Sequence, residues 1–493
     1  MSSESSTRRG GVLLHPTSLP GPPGNGDLGP AAYRFVDFLQ ECGLTVWQTL
    51  PLAPPHSDGS PYQCLSVHAG NPLLVSGELL VQKGWLEAEA LQPPPGTAPE
   101  AHRSTALAKA FEGFRRGASE HDRAELQAFV REHEHWLQDY ALYLGLRQIH
   151  HQRPWSEWPA PLRRREPEAL AEARSQLKSA IDQHCFEQFL FFRQWQDLRS
   201  YAAQRGVSIF GDMPIFVAHD SADVWAQQEN FELDDAGQPT VVAGVPPDYF
   251  SATGQRWGNP LYCWSRMRAS GFRWWIERMS TQLKLFDMVR IDHFRGFQAY
   301  WSIPASEETA VNGHWVEAPG NALFEKFLEH FGCLPLVAED LGVITPEVEE
   351  LRDRYYLPGM KILQFAFEGG ADNPYLPHQH IPRCVVYTGT HDNDTTRGWF
   401  EALPPKDQEH IRDYLGYPRE PMPWPLIRSA LASVAELAIV PIQDFLMLGS
   451  EGRMNRPSTQ QGNWRWRFDW GQVAADLPGR VHHLMQLYGR VGS

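Results

Sequence analysis

Three acidic residues stand where apolar stretches of the chain give way to polar ones. Asp292 follows Met288-Val-Arg-Ile, Glu339 follows Pro335-Leu-Val-Ala, and Asp392 comes soon after Cys384-Val-Val-Tyr. Cleavage of a glycosidic bond requires a pair of carboxyl groups, one to protonate the departing oxygen and one to attack the sugar or activate the attacker. The types and positions of these residues therefore predict glycoside chemistry, with a separate role for the third acid.

Arg290 lies two residues before Asp292, so in a strand both side chains point to the same face. In a retaining mechanism the nucleophile must stay ionised, and a paired guanidinium favours the ionised form. We expect Arg290 to hold Asp292 in that form. Glu339 would then have the raised pKa and be protonated before cleavage.

Eight short apolar, β-branched runs recur along the chain and precede these polar residues. Eight strands are what a closed parallel barrel needs, and active sites in such barrels lie at the C-terminal ends of the strands. The predicted fold class is therefore α/β, a (β/α)8 TIM barrel with helical insertions and no C-terminal β-sandwich domain. The predicted strands are Gly11–His15, Thr45–Leu50, Val207–Met213, Phe286–Phe294, Pro335–Leu341, Lys361–Phe367, Cys384–Thr390 and Ala438–Phe445.

Helical spacing between the runs supports strand-helix alternation, as in Ala31–Cys42 and in Thr345–Tyr355, where Thr345-Pro346 is a helix-start signal. Residues 1–493 are expected to form a single catalytic domain. It carries a largely helical insertion at 76–205 after the second strand. A lid-bearing insertion at 219–264 follows the third strand and lacks clean periodicity.

Composition excludes several other classes of protein. The formal net charge is −15 and Lys and Arg form no long run, so nucleic-acid binding is not expected. Six cysteines without a CxxC pair, together with His15, His56 and His68 at spacings unlike zinc ligands, predict no metal and reduced thiols in the cytoplasm. Neither a signal peptide nor a membrane-spanning run is evident, so no membrane partner is predicted.

Four motifs in this order resemble the amylomaltase or disproportionating-enzyme family, glycoside hydrolase family 77 of the α-amylase clan. The resemblance extends from Gly11-Val-Leu-Leu-His-Pro-Thr-Ser-Leu-Pro to Gly462-Asn-Trp. The motifs are Gly211-Asp-Met-Pro-Ile-Phe-Val, Arg290-Ile-Asp-His-Phe-Arg-Gly, Ala338-Glu-Asp-Leu-Gly and Tyr387-Thr-Gly-Thr-His-Asp-Asn-Asp.

The resemblance implies a role for each acid: Asp292 matches the nucleophile, Glu339 the general acid/base, and Asp392 the carboxylate that steadies the distorted sugar. It implies no cofactor and no metal, with α-1,4-glucans as substrates and glucose among the acceptors. The substrate-binding residues it implies are Arg290, His391, His293, Asp212, Tyr62, Asp248, Tyr249, Phe250, Trp257, Phe365 and Asn463.

The segment from Pro246 to Asn259 is similar to the family's lid over the catalytic cleft. Tyr249, Phe250 and Trp257 offer flat faces for the apolar sides of glucose rings. A lid that excludes water favours transfer to a sugar over hydrolysis.

The expected function is that of a 4-α-glucanotransferase, which passes α-1,4-glucan segments to the 4-hydroxyl of another sugar with retention of configuration. Retention predicts carboxyl groups of Asp292 and Glu339 about 5–5.5 Å apart. Two alternatives stay open at this point: an α-1,4-glucan hydrolase of the same clan, and a non-catalytic glucan-binding barrel. Asp287, Asp340 and Asp394 are interpreted as structural, and Trp464 as part of a closing segment.

Overall fold

The strands of the chain form two separate sheets. The computed structural model describes residues 8–248, 251–457, 459 and 461–491. Its strands are β1 (Arg9–Leu13), β2 (Val46–Gln48), β3 (Ser208–Pro214), β4 (Val241–Val245), β5 (Gln255–Pro260), β6 (Met288–Asp292), β7 (Ala299–Pro304), β8 (His314–Glu317), β9 (Leu336–Ala338), β10 (Gly359–Ile362), β11 (Cys384–Tyr387) and β12 (Leu437–Pro441).

Eight of these strands form a parallel sheet in the order β10-β11-β12-β1-β2-β3-β6-β9. Across the remaining seam, between β9 and β10, the Ala338 N–H donates to the Pro358 carbonyl at 2.9 Å. The sheet thus curls into a (β/α)8 barrel, and the predicted fold class is confirmed. Apolar side chains from most of the strands fill its interior, among them Val46, Phe210, Val337 and Ile439.

Each predicted strand overlaps an observed one, but several predicted runs continue too far. The residues Leu363–Phe365, placed in the sixth run, form a 3-10 turn, and Ile442–Phe445, placed in the eighth, form a short helix. The predicted strands are too long because apolar residues continue beyond the last hydrogen bond of the sheet into the loops at the barrel rim.

Helices surround the barrel and occupy most of the connection between β2 and β3. They are α1 (Pro30–Glu41), α2 (Gly77–Gln82), α3 (Pro99–Gly117), α4 (Glu120–Glu132), α5 (Glu134–Ile149), α6 (Ala160–Arg163), α7 (Pro167–Gln176), α8 (Lys178–Gln204), α9 (Ala222–Ala226), α10 (Trp264–Ala269), α11 (Arg273–Leu285), α12 (Gly320–Phe331), α13 (Pro346–Arg354), α14 (Thr396–Ala402), α15 (Pro405–Tyr414), α16 (Trp424–Ala432), α17 (Ile442–Phe445) and α18 (Leu477–Leu487).

Helices α1 and α13 lie where helical spacing predicted them. Thr345 is the N-cap residue of α13 and Pro346 begins the helix, but the Thr345 side chain makes no capping hydrogen bond to the backbone. Proline at the first position costs nothing there, because that N–H has no partner within the helix.

Helix α8 attaches the helical segment to the loop after β2. Its apolar face, with Phe186 and Leu190 buried, packs into the main core, and burial of one such side chain contributes about 1.5–3 kcal/mol. Gln188 exchanges two 2.8 Å hydrogen bonds with the backbone of Gly70, and Gln194 accepts from the Ser76 N–H at 2.7 Å. No helix in the described parts of the chain is both long and apolar enough to cross a membrane.

A second, antiparallel sheet has the order β5-β4-β7-β8. It lies beside the barrel mouth, where Trp257 of β5 contacts His293 after β6. The insertion at 219–264, whose sequence lacks clean periodicity, contains both β4 and β5. Strand β4 pairs with β7, beyond β6 in the chain, and its register with β5 shifts at Gly244. A pairing partner so distant in sequence leaves no local periodic signal.

Candidate active site

A chain of charged contacts runs across the barrel mouth from β3 to β6. Arg290 donates through Nη2 to Asp292 Oδ1 at 2.6 Å and through Nη1 to Asp212 Oδ2 at 2.5 Å. The Tyr62 hydroxyl donates to the same Asp212 oxygen at 2.6 Å. Since β3 and β6 are paired in register with Asp212 beside Arg290, the sheet itself brings these groups together.

Glu339 follows β9 and lies next to the end of β6. Its carboxylate accepts the His293 N–H at 2.6 Å through Oε2 and the Leu341 N–H at 3.0 Å through Oε1. His293 adopts a left-handed conformation with φ of 55°, a backbone state that costs free energy outside glycine and clusters at functional sites. This turn directs the amide after Asp292 toward Glu339 and so couples the two acids structurally.

Burial raises the pKa of both acids. For Glu339 the nearby Arg290 charge and the two backbone N–H donors oppose the shift. For Asp292, burial raises the pKa to about 8, against the pull of Arg290 and with neighbouring carboxylates adding to it. The predicted contact between Arg290 and Asp292 is present at 2.6 Å, and the expectation that it keeps Asp292 ionised stays a prediction.

Partial exposure moderates this shift at Asp292. The Asp292 side chain keeps 31% of its surface exposed, so water screens part of the burial effect. Burial lowers the pKa of Arg290, but the ion pairs with Asp212 and Asp292 raise it well above its ordinary value. The guanidinium therefore stays charged beside both acids.

Asp392 lies in the loop after β11 and is 48% exposed. The Asn455 amide donates to its Oδ1 at 2.6 Å, and His391 Nε2 is 3.4 Å from the same oxygen. Arg453 donates to the Asp392 carbonyl at 2.8 Å. Asp392 is therefore held mainly by hydrogen bonds and is only partly buried.

Aromatic rings line the cleft between the acids. Tyr62 stacks on His391 with ring centroids 5.2 Å apart, and the edge of Trp257 meets His293 at 4.8 Å. Burial lowers the pKa of His293 to about 3, so its imidazole is neutral, and its buried Nε2 has no hydrogen-bond partner. A cavity of about 270 Å³ lies here, lined by Tyr62, Gln63, Pro214, Ile215, Phe216, Trp257, Asn259, Asp292 and His293.

Other predicted binding residues lie farther out. Phe365 meets Tyr375 edge-on at 5.7 Å, and the pKa of Tyr375 is raised to about 12 by burial and by Asp340 and Glu339. Phe365 therefore lies on the Glu339 side of the mouth. Asn463 binds the backbone of Arg456 and Thr459 within its own loop, at 2.9 Å in each case.

The lid is only partly described. Asp248 accepts the Ser251 N–H at 2.7 Å, and Trp257 follows on β5. Tyr249 and Phe250 lie outside the described residues. The sugar-binding roles proposed for the four stay predictions.

The three acids interpreted as structural have structural partners. Asp287 pairs with Arg199 at 2.6 Å, Asp340 with Arg352 at 2.6 Å, and Asp394 accepts the Ser450 hydroxyl at 2.6 Å. No group of three or more His, Cys, Asp or Glu that could hold a metal ion occurs in the described portion of the chain.

Sequence reasoning missed Asn455 and Phe216 and interpreted Trp464 only as part of a closing segment. Trp464 lies 5.9 Å from Tyr62 and 6.0 Å from His391, centroid to centroid, at the edge of the aromatic stack. Phe216 belongs to the motif Gly211–Val217, and Asn455 precedes the motif Gly462-Asn-Trp by only a few residues. The polar residues Arg453, Asn455 and Arg456 after the last strand were the available signal.

Comparison with known proteins agrees with this geometry. The family model described as 4-alpha-glucanotransferase matches residues 14–472. The 4-alpha-glucanotransferase of Thermus thermophilus is 51% identical, covering 98% of this chain and 99% of its own, and that of Synechocystis sp. is 50% identical, covering 98% of each. The amylomaltase of Streptococcus agalactiae, solved in complex with acarbose, is 38% identical with a TM-score of 0.94, covering 98% of this chain and 100% of its own.

Proposed function

Since the chain belongs to the 4-alpha-glucanotransferases of glycoside hydrolase family 77 and has their activity, we propose that it works by a retaining double displacement. In the first step the Asp292 carboxylate attacks the anomeric carbon of an α-1,4-linked glucan, and Glu339 protonates the departing oxygen. The C–O bond to the leaving chain breaks as the bond to Asp292 forms. The product is a covalent glycosyl-enzyme and a shortened glucan.

In the second step Glu339, now ionised, takes the proton from the 4-hydroxyl of an acceptor sugar. That oxygen attacks the anomeric carbon and displaces Asp292, which returns to its carboxylate form. Two inversions retain the anomeric configuration. The carboxyl groups of the two residues are predicted to lie about 5–5.5 Å apart, and a separation nearer ~9 Å would indicate inversion.

The observation that carries this assignment is the geometry of the pair. Glu339 is fixed by two backbone N–H donors, and Asp292 is held at 2.6 Å by a guanidinium that stays charged. Burial raises the pKa of both acids and Arg290 opposes the rise at both. The state with one proton in the pair is the one that the first step requires.

The other predicted site residues receive binding roles in this proposal. Asp392 and His391 contact hydroxyls of the distorted sugar, neutral His293 offers its unpaired Nε2 as a hydrogen-bonding atom, and Tyr62 with Trp257 packs on sugar faces. Asp212 positions Arg290. Phe365, Asn463 and the lid residues 248–250 extend the site along the glucan.

We assign maltooligosaccharides, amylose and starch- or glycogen-derived chains as donors, and glucose or another α-glucan as acceptor. The related amylomaltase bound to acarbose supports an α-glucan ligand of this class. We place the enzyme in the cytoplasm. Its six cysteines are free thiols in the structure, which suits a reducing compartment.

The direct test is the product profile of the purified protein given maltotriose alone, with Asp292→Asn as the control. A ladder of glucose and longer maltooligosaccharides, abolished by the substitution, is the expected result. Shorter sugars alone would indicate a hydrolase, and binding without turnover would indicate a glucan-binding barrel; either result would reject the proposal. Identity near 50% to named glucanotransferases favours transfer over both alternatives.

A further inference from the structure

The carboxylate of Asp392 is contacted on one oxygen only. Asn455 Nδ2 and His391 Nε2 both approach Oδ1, at 2.6 and 3.4 Å. Among the hydrogen bonds of the described residues, none reaches Oδ2 of Asp392. With 48% of the side chain exposed, packing covers only about half of it, so these contacts contribute directly to its orientation.

The backbone of the loop that carries Asp392 is held by other residues. Asp444, in α17 after β12, accepts the Thr388 hydroxyl at 2.6 Å and the Thr396 N–H at 2.8 Å, so both ends of the loop are anchored. Within the loop, Asn393 accepts the Thr390 N–H at 2.9 Å. The Asn455 amide is therefore not required to form the loop.

Asn455 is itself placed by Arg453, which spans the two segments. The guanidinium donates to the Asn455 carbonyl at 2.7 Å through Nε and to the Asp392 carbonyl at 2.8 Å through Nη2. Met454, which lies between Arg453 and Asn455, accepts the Trp464 N–H at 2.9 Å through its backbone carbonyl. The short segment from Arg453 to Asn455 is thus fixed against the acid from two sides.

From this geometry we propose that Asn455 is a positioning residue for the third acid. Its amide occupies Oδ1 and turns Oδ2 of Asp392 toward the hydroxyls of the distorted sugar, so that the carboxylate needs no reorientation in the transition state. An amide suits this place because it donates to the carboxylate without adding a charge, whereas a second carboxylate would repel it. This inference rests on the proposed role of Asp392.

The test compares Asn455→Ala, Asn455→Asp and Asp392→Asn on maltotriose, with kcat, KM and the pH profile of kcat measured. Loss of a hydrogen bond to a charged group predicts a fall in kcat of about 10- to 100-fold for Asn455→Ala. Substrate binding in the ground state, and therefore KM, changes less. In Asn455→Asp, kcat should fall further and the acid limb of the profile should move to higher pH, because the new carboxylate adds negative charge to the cleft and so favours the protonated forms of Asp292 and Glu339.

The matched control is Asn312→Asp. Asn312 Nδ2 donates to Glu307 Oε2 at 2.7 Å on an exposed loop between β7 and β8, so the substitution makes the same carboxylate contact away from the cleft. It should leave kcat and the acid limb unchanged.

Three outcomes separate the two proposals. Wild-type kcat and pH profile in both Asn455 variants, with Asp392→Asn inactive, would overturn the positioning role and leave the proposed function intact. Equal losses in both variants with a lowered melting temperature and an unmoved acid limb would indicate a purely structural residue and also overturn it. Full activity of Asp392→Asn would instead reject the role assigned to that acid in the proposed function.

Discussion

The two sides of the cleft surround their acids by different means. On the β6–β9 side, burial raises the pKa of both Asp292 and Glu339. On the β11–β12 side, Asp392 is half exposed and is contacted by Asn455 and His391. In the proposed mechanism, the groups that exchange protons or form bonds therefore lie where burial tunes them. The group that binds hydroxyls lies where hydrogen bonds orient it.

The most severe test of the enclosed side is Asp292→Asn. Removal of the nucleophile should lower kcat by about 10⁴-fold or more, as loss of such a group does in other covalent mechanisms. The measurement is the initial rate of glucose release from maltotriose. Retention of more than a tenth of the activity would contradict the assignment of the nucleophile.

The variant Asp292→Asn also tests how burial of the Asp292 carboxyl affects the pH dependence of stability. The pKa of Asp292 is raised from 3.8 to about 8 in the folded protein, so the protonated form is favoured there. Its contribution to stability is complete below the unfolded value and is lost as pH rises through about 8. Asp292→Asn, which never ionises, should gain melting temperature relative to the parent between pH 5 and pH 9 by calorimetry. A constant difference across that range would contradict the role of burial.

Removal of the ion pairs that Arg290 forms with Asp212 and Asp292 should destabilise the protein strongly. Arg290→Ala leaves Asp212 and Asp292 as unpaired acids, and removal of one partner of a buried ion pair costs about 3–5 kcal/mol. The free energy of unfolding from urea titration provides the measurement. The control is Arg397→Ala, which removes an exposed ion pair with Glu401. It should change the free energy of unfolding by less than about 1 kcal/mol. Similar losses in both variants would contradict a special role for the contacts of Arg290 with Asp212 and Asp292.

The proposed state with one proton in the Asp292–Glu339 pair predicts a bell-shaped pH dependence of kcat/KM. Both acids have raised pKa values, so the acid limb should lie above the ordinary carboxyl range and activity should fall as the last proton leaves at higher pH. Profiles on maltotriose measure both limbs. A flat profile from pH 4 to pH 9 would exclude the enclosed pair as the acid and nucleophile.

The smallest expected effect concerns the lid. Trp257→Ala removes the ring that meets His293 edge-on and admits water, so transfer should weaken more than hydrolysis, by several-fold. The ratio of longer maltooligosaccharides to newly formed reducing ends provides the measurement. Equal losses of transfer and hydrolysis would undercut the role of the lid as a barrier to water.

Local patterns in the sequence predicted much of the fold and the three candidate catalytic acids. Short apolar runs of five to nine residues predicted all eight barrel strands, and Asp292, Glu339 and Asp392 were predicted from the polar residues at or just after the ends of three of these runs. The antiparallel sheet was not predicted, because β4 pairs with β7 across an intervening barrel strand. The rule that active sites lie at the C-terminal ends of barrel strands made the step from strands to site possible.

The chain by itself determined which residue types end each strand, and with them the class of chemistry. The tertiary structure decided the partners that come from distant segments. Tyr62 meets Asp212 across 150 positions of sequence and Asn455 meets Asp392 across 63. It also set the balance between burial and Arg290 at Asp292, since a pKa depends on every charge and every shielding atom within a few ångströms, and those come from elements far apart in the sequence.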